Sequence, residues 1–297
     1  MLPSLTVVGS ANLDLVAWVE RLPRPGETVT DATLSRAPGG KGSNQAVAAA
    51  RLGADVVFEG AVGDDEFAEQ ALEGLKEAGV EVQVGIRDST GLALIAVDAE
   101  GENQIVVAPG ANATLELDEA DRSRIADAAV VLTNHEVPNE VVVVALTAAH
   151  QAGATAILNP APARALPADV LRLGPILTPN EHELVVAIGN DATDAALDEL
   201  VVRHAGPIVV TQGPAGALLA HGDRRERYPG RIPPGVTDTT GAGDTFNGVL
   251  AAWLASGAAL EAAIEAANAA AALSVAAAGA RGGMPIREAI ETYLADG

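Results

Sequence analysis

The chain has 297 residues, carries 18 basic against 40 acidic side chains for a formal net charge of −22, contains no cysteine and is only 2% aromatic. That length suits one large domain or two small ones and can bury a substantial core. The composition excludes disulfides, thiol catalysis and cysteine-held metal centres, and it argues against nucleic acid as a partner, since little could neutralise phosphates or stack on bases.

Met1 to Ser10 show no positive n-region and no long apolar segment, so a cytoplasmic location is expected. Leu5 to Val8 is a short β-branched run ending at Gly9-Ser10, which predicts a buried first strand. Leu15 to Arg36, with Arg24-Pro25-Gly26, interrupts the pattern. Ser43 to Leu52 is an alanine-rich helical stretch stopped by Gly53. Val56 to Phe58 predicts the next buried strand, and Asp64 to Ala78 a helix with Phe67, Ala71, Leu72, Leu75 and Ala78 on one face. Gly91 to Val107 reads as a β-hairpin around Asp98 to Gly101. Val130 to Leu132, Ala156 to Leu158 and Ile208 to Val210 are further buried strands. Helices are predicted from Gly241 to Leu254 and from Leu260 to Ala278. The alanine run Ala269 to Ala280 is too short for a bilayer, which needs ~20 residues, so no membrane is expected. Alternating strands and helices predict an α/β layered fold with a largely parallel sheet. No repeat or linker divides residues 1–297, so one domain is expected, with lid segments at about 10–40 and 90–110.

Three segments carry candidate chemistry. Asp238 to Gly248 is a glycine-rich turn feeding a helix, which points backbone N–H groups at one spot and suits an oxyanion or phosphate. Asp244 at that spot reads equally as an N-cap or as a proton acceptor for an attacking hydroxyl. The segment is neither a Walker A loop nor a Rossmann fingerprint. Gly39 to Asn44 offers Lys41, Asn44 and backbone donors before a helix. Asn12 and Asp14 follow the first strand, at the end where open α/β sheets bind ligands. Asn180 and Glu183, three apart, suit either a capping box or the water shell of a magnesium ion.

These segments, with Pro25-Gly-Glu-Thr28, Ser89-Thr-Gly91, Gly101-Glu-Asn103 and Asn159-Pro-Ala-Pro-Ala163, occur in an order that resembles the ribokinase family of sugar kinases nearly end to end. The resemblance implies a three-layer α/β/α sandwich with a small inserted β-lid. It also implies ATP-dependent phosphorylation of the 5-hydroxyl of D-ribose, with Asp244 as base and Gly241, Ala242 and Gly243 as anion hole. Asn12, Asp14, Gly40, Lys41, Gly42, Asn44 and Glu136 match sugar-binding positions. Asn180 and Glu183 match the positions for magnesium and phosphate, and Thr211, Gly213, Gly216 and Asn268 those for the nucleotide. Potassium activation is implied by Asp238, Thr240, Ser274, Ala277, Gly279 and Gly283, and a homodimer by the lid. The chain departs from the family at Gly283, where serine is frequent, and at Asn134-His135 beside Glu136. Kinases of other sugars or nucleosides, and a non-catalytic sugar-binding regulator on the same fold, are the alternatives.

Overall fold

The computed structural model describes residues 4–189 and 193–295. Its elements run β1 (Ser4–Val8), β2 (Asn12–Trp18), β3 (Thr33–Gly39), α1 (Lys41–Ala50), β4 (Asp55–Gly63), α2 (Ala68–Glu77), β5 (Glu81–Arg87), β6 (Gly91–Val97) and β7 (Asn103–Ala108). They continue through α3 (Glu119–Asp127), β8 (Val130–Asn134), α4 (Asn139–Ala152), β9 (Thr155–Asn159), α5 (Ala168–Leu173), β10 (Ile176–Leu177), α6 (Glu181–Ile188), α7 (Thr193–Arg203) and β11 (Ile208–Thr211). The hairpin β12 (Gly216–His221) and β13 (Arg224–Pro229) follows, then α8 (Ala242–Ala255), α9 (Leu260–Ser274) and α10 (Arg287–Ala295).

The main sheet has the order β13-β12-β11-β10-β9-β8-β1-β4-β5. Its strands from β11 to β5 are parallel, and the β12–β13 hairpin adds an antiparallel edge. Strands covered on both faces need apolar residues at successive positions, and Val130-Val-Leu132 meets that need. Val130 and Leu132 pack into the layer of α1, α8 and α9, and Val131 into the layer of α4, α5 and α7. The expected three-layer α/β/α sandwich is therefore the observed one.

A second sheet, β3-β2-β6-β7, stands beside the first. Only Gly9 to Ala11 separate β1 from β2, and only Gly40 separates β3 from α1. The roots of this sheet are thus tied to the carboxyl ends of the main strands: chain connectivity holds Asn12, Asp14 and Gly40 there, and strand pairing with Asn12 holds Gly91.

Two predicted boundaries are corrected. The helix expected to Ala278 stops at Ser274, because the Val275 carbonyl accepts the N–H groups of Thr237 (2.7 Å) and Asp238 (3.2 Å) instead of continuing the helix ladder. The helix expected from Asp64 starts at Ala68. There the Asp64 N–H bonds the Arg87 carbonyl (2.9 Å), and Asp65 accepts the backbone and hydroxyl of Thr90 at 2.7 and 2.6 Å, so both residues serve the sheet and the root of β6.

Candidate active site

The carboxyl ends of β1, β8, β9, β10 and β11 lie in one row, and α1 and α8 begin beside them. Gly9 and Gly42 approach each other closely. A Cβ at Gly42 would stand 2.6 Å from the Ser10 nitrogen and 2.7 Å from the Gly9 carbonyl carbon, so a side chain there would push α1 off the end of β1. This contact brings Ser10 to Glu136: the Ser10 hydroxyl donates to Glu136 Oε2 (2.5 Å), and the Lys41 backbone N–H donates to the same oxygen (2.9 Å). Asn134 accepts the Glu136 N–H (3.0 Å) and so shapes that turn. His135 between them is fully buried, and burial with the nearby Arg164 charge lowers it to about 4, so it is neutral at neutral pH.

Asp244 lies in the first turn of α8 with 8% of its surface exposed. Gly241 caps that helix at a φ of 77°, a left-handed conformation that glycine adopts without steric cost. Asn44 Nδ2 donates to Asp244 Oδ2 (3.0 Å) and Gln45 Nε2 to Oδ1 (3.2 Å). Gln45 Nε2 also reaches Asn159 Oδ1 (3.1 Å), whose own amide donates to the Thr178 carbonyl (3.1 Å). The Thr178 hydroxyl then donates to Asn247 (2.5 Å), which returns to the Gly243 carbonyl (2.9 Å). A chain of buried amides thus ties the glycine turn to the ends of β9 and β10. The Ala242 N–H bonds the Thr239 carbonyl (3.2 Å).

Lys41 is raised by the charge of Asp244 and further by Glu136 and Glu183, so one cation serves three carboxylates. Asn12 Oδ1 accepts from Asn112 Nδ2 (2.7 Å), which leaves the Asn12 amide N–H groups available to a ligand. Asp14 is raised to about 6, chiefly by burial and then by Glu136, with Arg281 opposing. A cavity of about 690 Å³ bordered by Asn12, Asn112, His135 and Glu136 opens on this side.

On the other side, Asn180 and Glu183 form a reciprocal capping box at α6, with both bonds at 2.8 Å. Burial raises Glu183, and Lys41 acts against it. Thr211 bridges to Asn180 and its N–H reaches the Pro179 carbonyl (2.9 Å), so the phosphate and nucleotide candidates adjoin. Gly213 and Gly216 bound the turn into β12. Asn268 donates to the Tyr228 carbonyl (3.2 Å) and borders a cavity of about 370 Å³ with Pro229 and Glu265.

The residues implied for a monovalent cation form two touching segments. Asp238 accepts the N–H groups of Thr240 (2.9 Å) and Gly279 (2.8 Å). A side chain at Gly283 would run into the Ser274 carbonyl, so the loop as folded has no room for one there. Ala277 lies between these contacts in the same loop. The donors are a carboxylate and carbonyls, oxygen ligands that suit a hard cation.

Ser10, Gln45, Asn159 and Asn247 fall within the sequence segments singled out above but carry no role there, and Asn112 and Arg281 fall in none of them. A polar residue inside the apolar pattern of α1 was the available signal for Gln45. Arg281 had none, since a lone arginine among glycines reads as a solvated loop.

The profile of the pfkB family of carbohydrate kinases matches residues 2–287. The chain is 39% identical over 296 residues to a ribokinase of Bacillus subtilis, covering 98% of this chain and 99% of the relative. It is 33% identical to a deoxyribokinase of Salmonella typhi, covering 98% of each. Among solved structures, a ribokinase of Arabidopsis thaliana complexed with ribose and ATP superposes with a TM-score of 0.91 at 32% identity over 99% of both chains.

Proposed function

This chain belongs to the pfkB family of carbohydrate kinases, and on that premise we propose that it transfers the γ-phosphoryl group of ATP to the 5-hydroxyl of D-ribose. The observation that carries the reading is the buried Asp244 carboxylate, held by Asn44 and Gln45 in the first turn of the helix that starts at the glycine turn Gly241 to Gly243. Asp244 takes the proton of the 5-hydroxyl as that oxygen bonds to phosphorus and the bond to the bridging oxygen of ADP breaks. The N–H groups of Gly241, Ala242 and Gly243 stabilise charge on the transferred group, with the Ala242 N–H exchanging the Thr239 carbonyl for the phosphoryl oxygen. Asn12, Asp14, Gly40, Lys41, Gly42, Asn44 and Glu136 hold the sugar. Thr211, Gly213, Gly216 and Asn268 hold the nucleotide, and the β3-β2-β6-β7 sheet closes over the sugar and excludes water.

Asn180 and Glu183 would hold the water shell of magnesium, and Asp238, Thr240 and the carbonyls of Ser274, Ala277, Gly279 and Gly283 would hold potassium. When bound, such cations offset the charge of the phosphates. A cytoplasmic setting belongs to the same reading, and no helix of the described residues is long and apolar enough to cross a membrane.

The test is ADP release from magnesium-ATP with D-ribose, 2-deoxyribose, fructose or adenosine, each with and without potassium. Ribose is expected to give the highest kcat/KM, with stimulation by potassium. A higher kcat/KM for 2-deoxyribose would reassign the substrate toward the deoxyribokinase relative, and ribose binding without ADP release would leave only a sugar-binding protein.

Asp14 makes a pH-dependent prediction. With its pKa near 6, Asp14 is a carboxylate above that value and a neutral acid below it. If the sugar hydroxyls donate to the carboxylate, sugar KM should rise as pH falls from 7 to 5, by up to about tenfold per unit below the pKa. The KM of Asp14→Asn should be high and flat over that window, and a wild-type KM that does not move would remove Asp14 from sugar binding.

Homodimerisation through the second sheet completes the reading. Leu34, Leu94 and Val106 are 60%, 48% and 65% exposed there, and Leu94 pairs with Val106 across the strands. Sedimentation of the wild type should give a dimer, and Leu94→Lys with Val106→Lys a monomer. A wild-type monomer at micromolar concentration would refute the dimer.

A further inference from the structure

Arg281 enters the site from the segment after α9, where it follows none of the recognisable motifs. Its backbone is pinned from α1: Arg51 Nη1 donates to the carbonyls of Arg281 (2.7 Å) and Met284 (2.9 Å). The guanidinium turns inward. Nε donates to Asn44 Oδ1 (2.8 Å) and Nη2 to the Ser43 hydroxyl (2.6 Å), while Nη1 is buried against Gly74 of α2. The Ser43 hydroxyl keeps its own proton for the Gly39 carbonyl (2.5 Å), so it receives Arg281 as an acceptor.

The consequence lies at Asn44. A side-chain amide can present either its oxygen or its nitrogen to a neighbour, and its partners decide which. Arginine only donates, so the bond from Nε commits the Asn44 oxygen to Arg281 and the Asn44 nitrogen to Asp244 Oδ2. Flipping the amide would set N–H against N–H on one side and oxygen against carboxylate on the other. Without Arg281 only the carboxylate of Asp244 still opposes the flip, and the amide is less firmly fixed and can turn toward a sugar hydroxyl.

We propose that Arg281 is a positioning residue for phosphoryl transfer, its guanidinium locking the Asn44 amide so that Asn44 donates to Asp244 and fixes the carboxylate that takes the proton. The inference rests on the reading of Asp244 as the base and adds a residue to it.

A double-mutant cycle on the full chain tests it, using wild type, Arg281→Met, Asn44→Ala and the double variant, with kcat, ribose KM and thermal unfolding measured for each. Arg281→Met should lower kcat by about 10–100-fold, the range for side chains coupled in one hydrogen-bond network. In the Asn44→Ala background the same change should cost less than about twofold, because the amide it acts through is gone. Arg281→Lys, which retains one donor and the charge, should recover much of the loss, and Arg281→Ala stands in for Arg281→Met if that variant does not fold. Single losses that multiply in the double variant would overturn the proposal, as would an unchanged kcat in folded Arg281→Met. Failure of the base reading is separate: it shows as full turnover in Asp244→Asn, whatever the cycle gives.

Discussion

Asp244→Asn is expected to lower kcat by about 10²–10⁴-fold, the usual contribution of a positioned general base, while ribose binding and folding are largely retained. The rate loss corresponds to about 3–5 kcal/mol of transition-state stabilisation. The site explains why the loss should fall on kcat. Asp244 is nearly buried, and both of its oxygens accept amide N–H groups, from Asn44 and Gln45. An asparagine of the same shape keeps one of those bonds and sets its own N–H against the other donor, so the side chain stays in place with a small loss of stability. It cannot take up a proton from the sugar. The measurement is kcat and KM for ribose and ATP beside calorimetric ribose binding and a melting curve. Turnover within twofold of wild type in a folded Asp244→Asn protein would remove Asp244 from proton transfer.

Gln45→Leu is expected to destabilise the fold and to slow turnover together. Gln45 is fully buried, and its amide nitrogen serves both Asp244 and Asn159. Leucine fills the space but leaves two acceptors without a donor. Each unsatisfied buried group costs about 1–3 kcal/mol, partly relieved at Asp244 by the remaining bond from Asn44, so a net loss of roughly 2–4 kcal/mol is expected. Turnover should fall about tenfold or more, because the carboxylate loses one of its two fixed partners. Gln45→Glu should be worse than leucine for turnover at neutral pH, since it sets a second carboxylate against Asp244 in a buried site. Denaturant melts and kcat for the two variants check this. A Gln45→Leu protein as stable and as fast as wild type would show that the amide chain is dispensable.

The fold was legible because its signals are local. Runs such as Leu5 to Val8 and Val130 to Leu132 are apolar at consecutive positions, which suits only strands covered on both faces, and glycine turns such as Gly241 to Gly243 announce the helix starts beside them. The end of α9 was not legible. Alanines continue to Ala278, and propensity has no way to register that Thr237 and Asp238 take the Val275 carbonyl away from the helix. The capping box of Asn180 and Glu183 was legible as geometry and ambiguous as function, since a cap and a ligand for hydrated metal use the same atoms.

The layered α/β architecture, the glycine turns at Gly40 and Gly241, and the family to which the motifs point all depend on residue type and spacing within a few positions, and so can be read from the chain. Which polar side chains share a hydrogen bond follows from the packed fold instead. Gln45, Asn159 and Asp244 are far apart along the chain, as are Asn44 and Arg281, and each meets its partner because parallel strands deliver their carboxyl ends to one edge where α1 and α8 begin. Nothing in the local pattern of an arginine among glycines encodes the amide it will hold; that contact exists only after the sheet has set the distance between two helices and a loop.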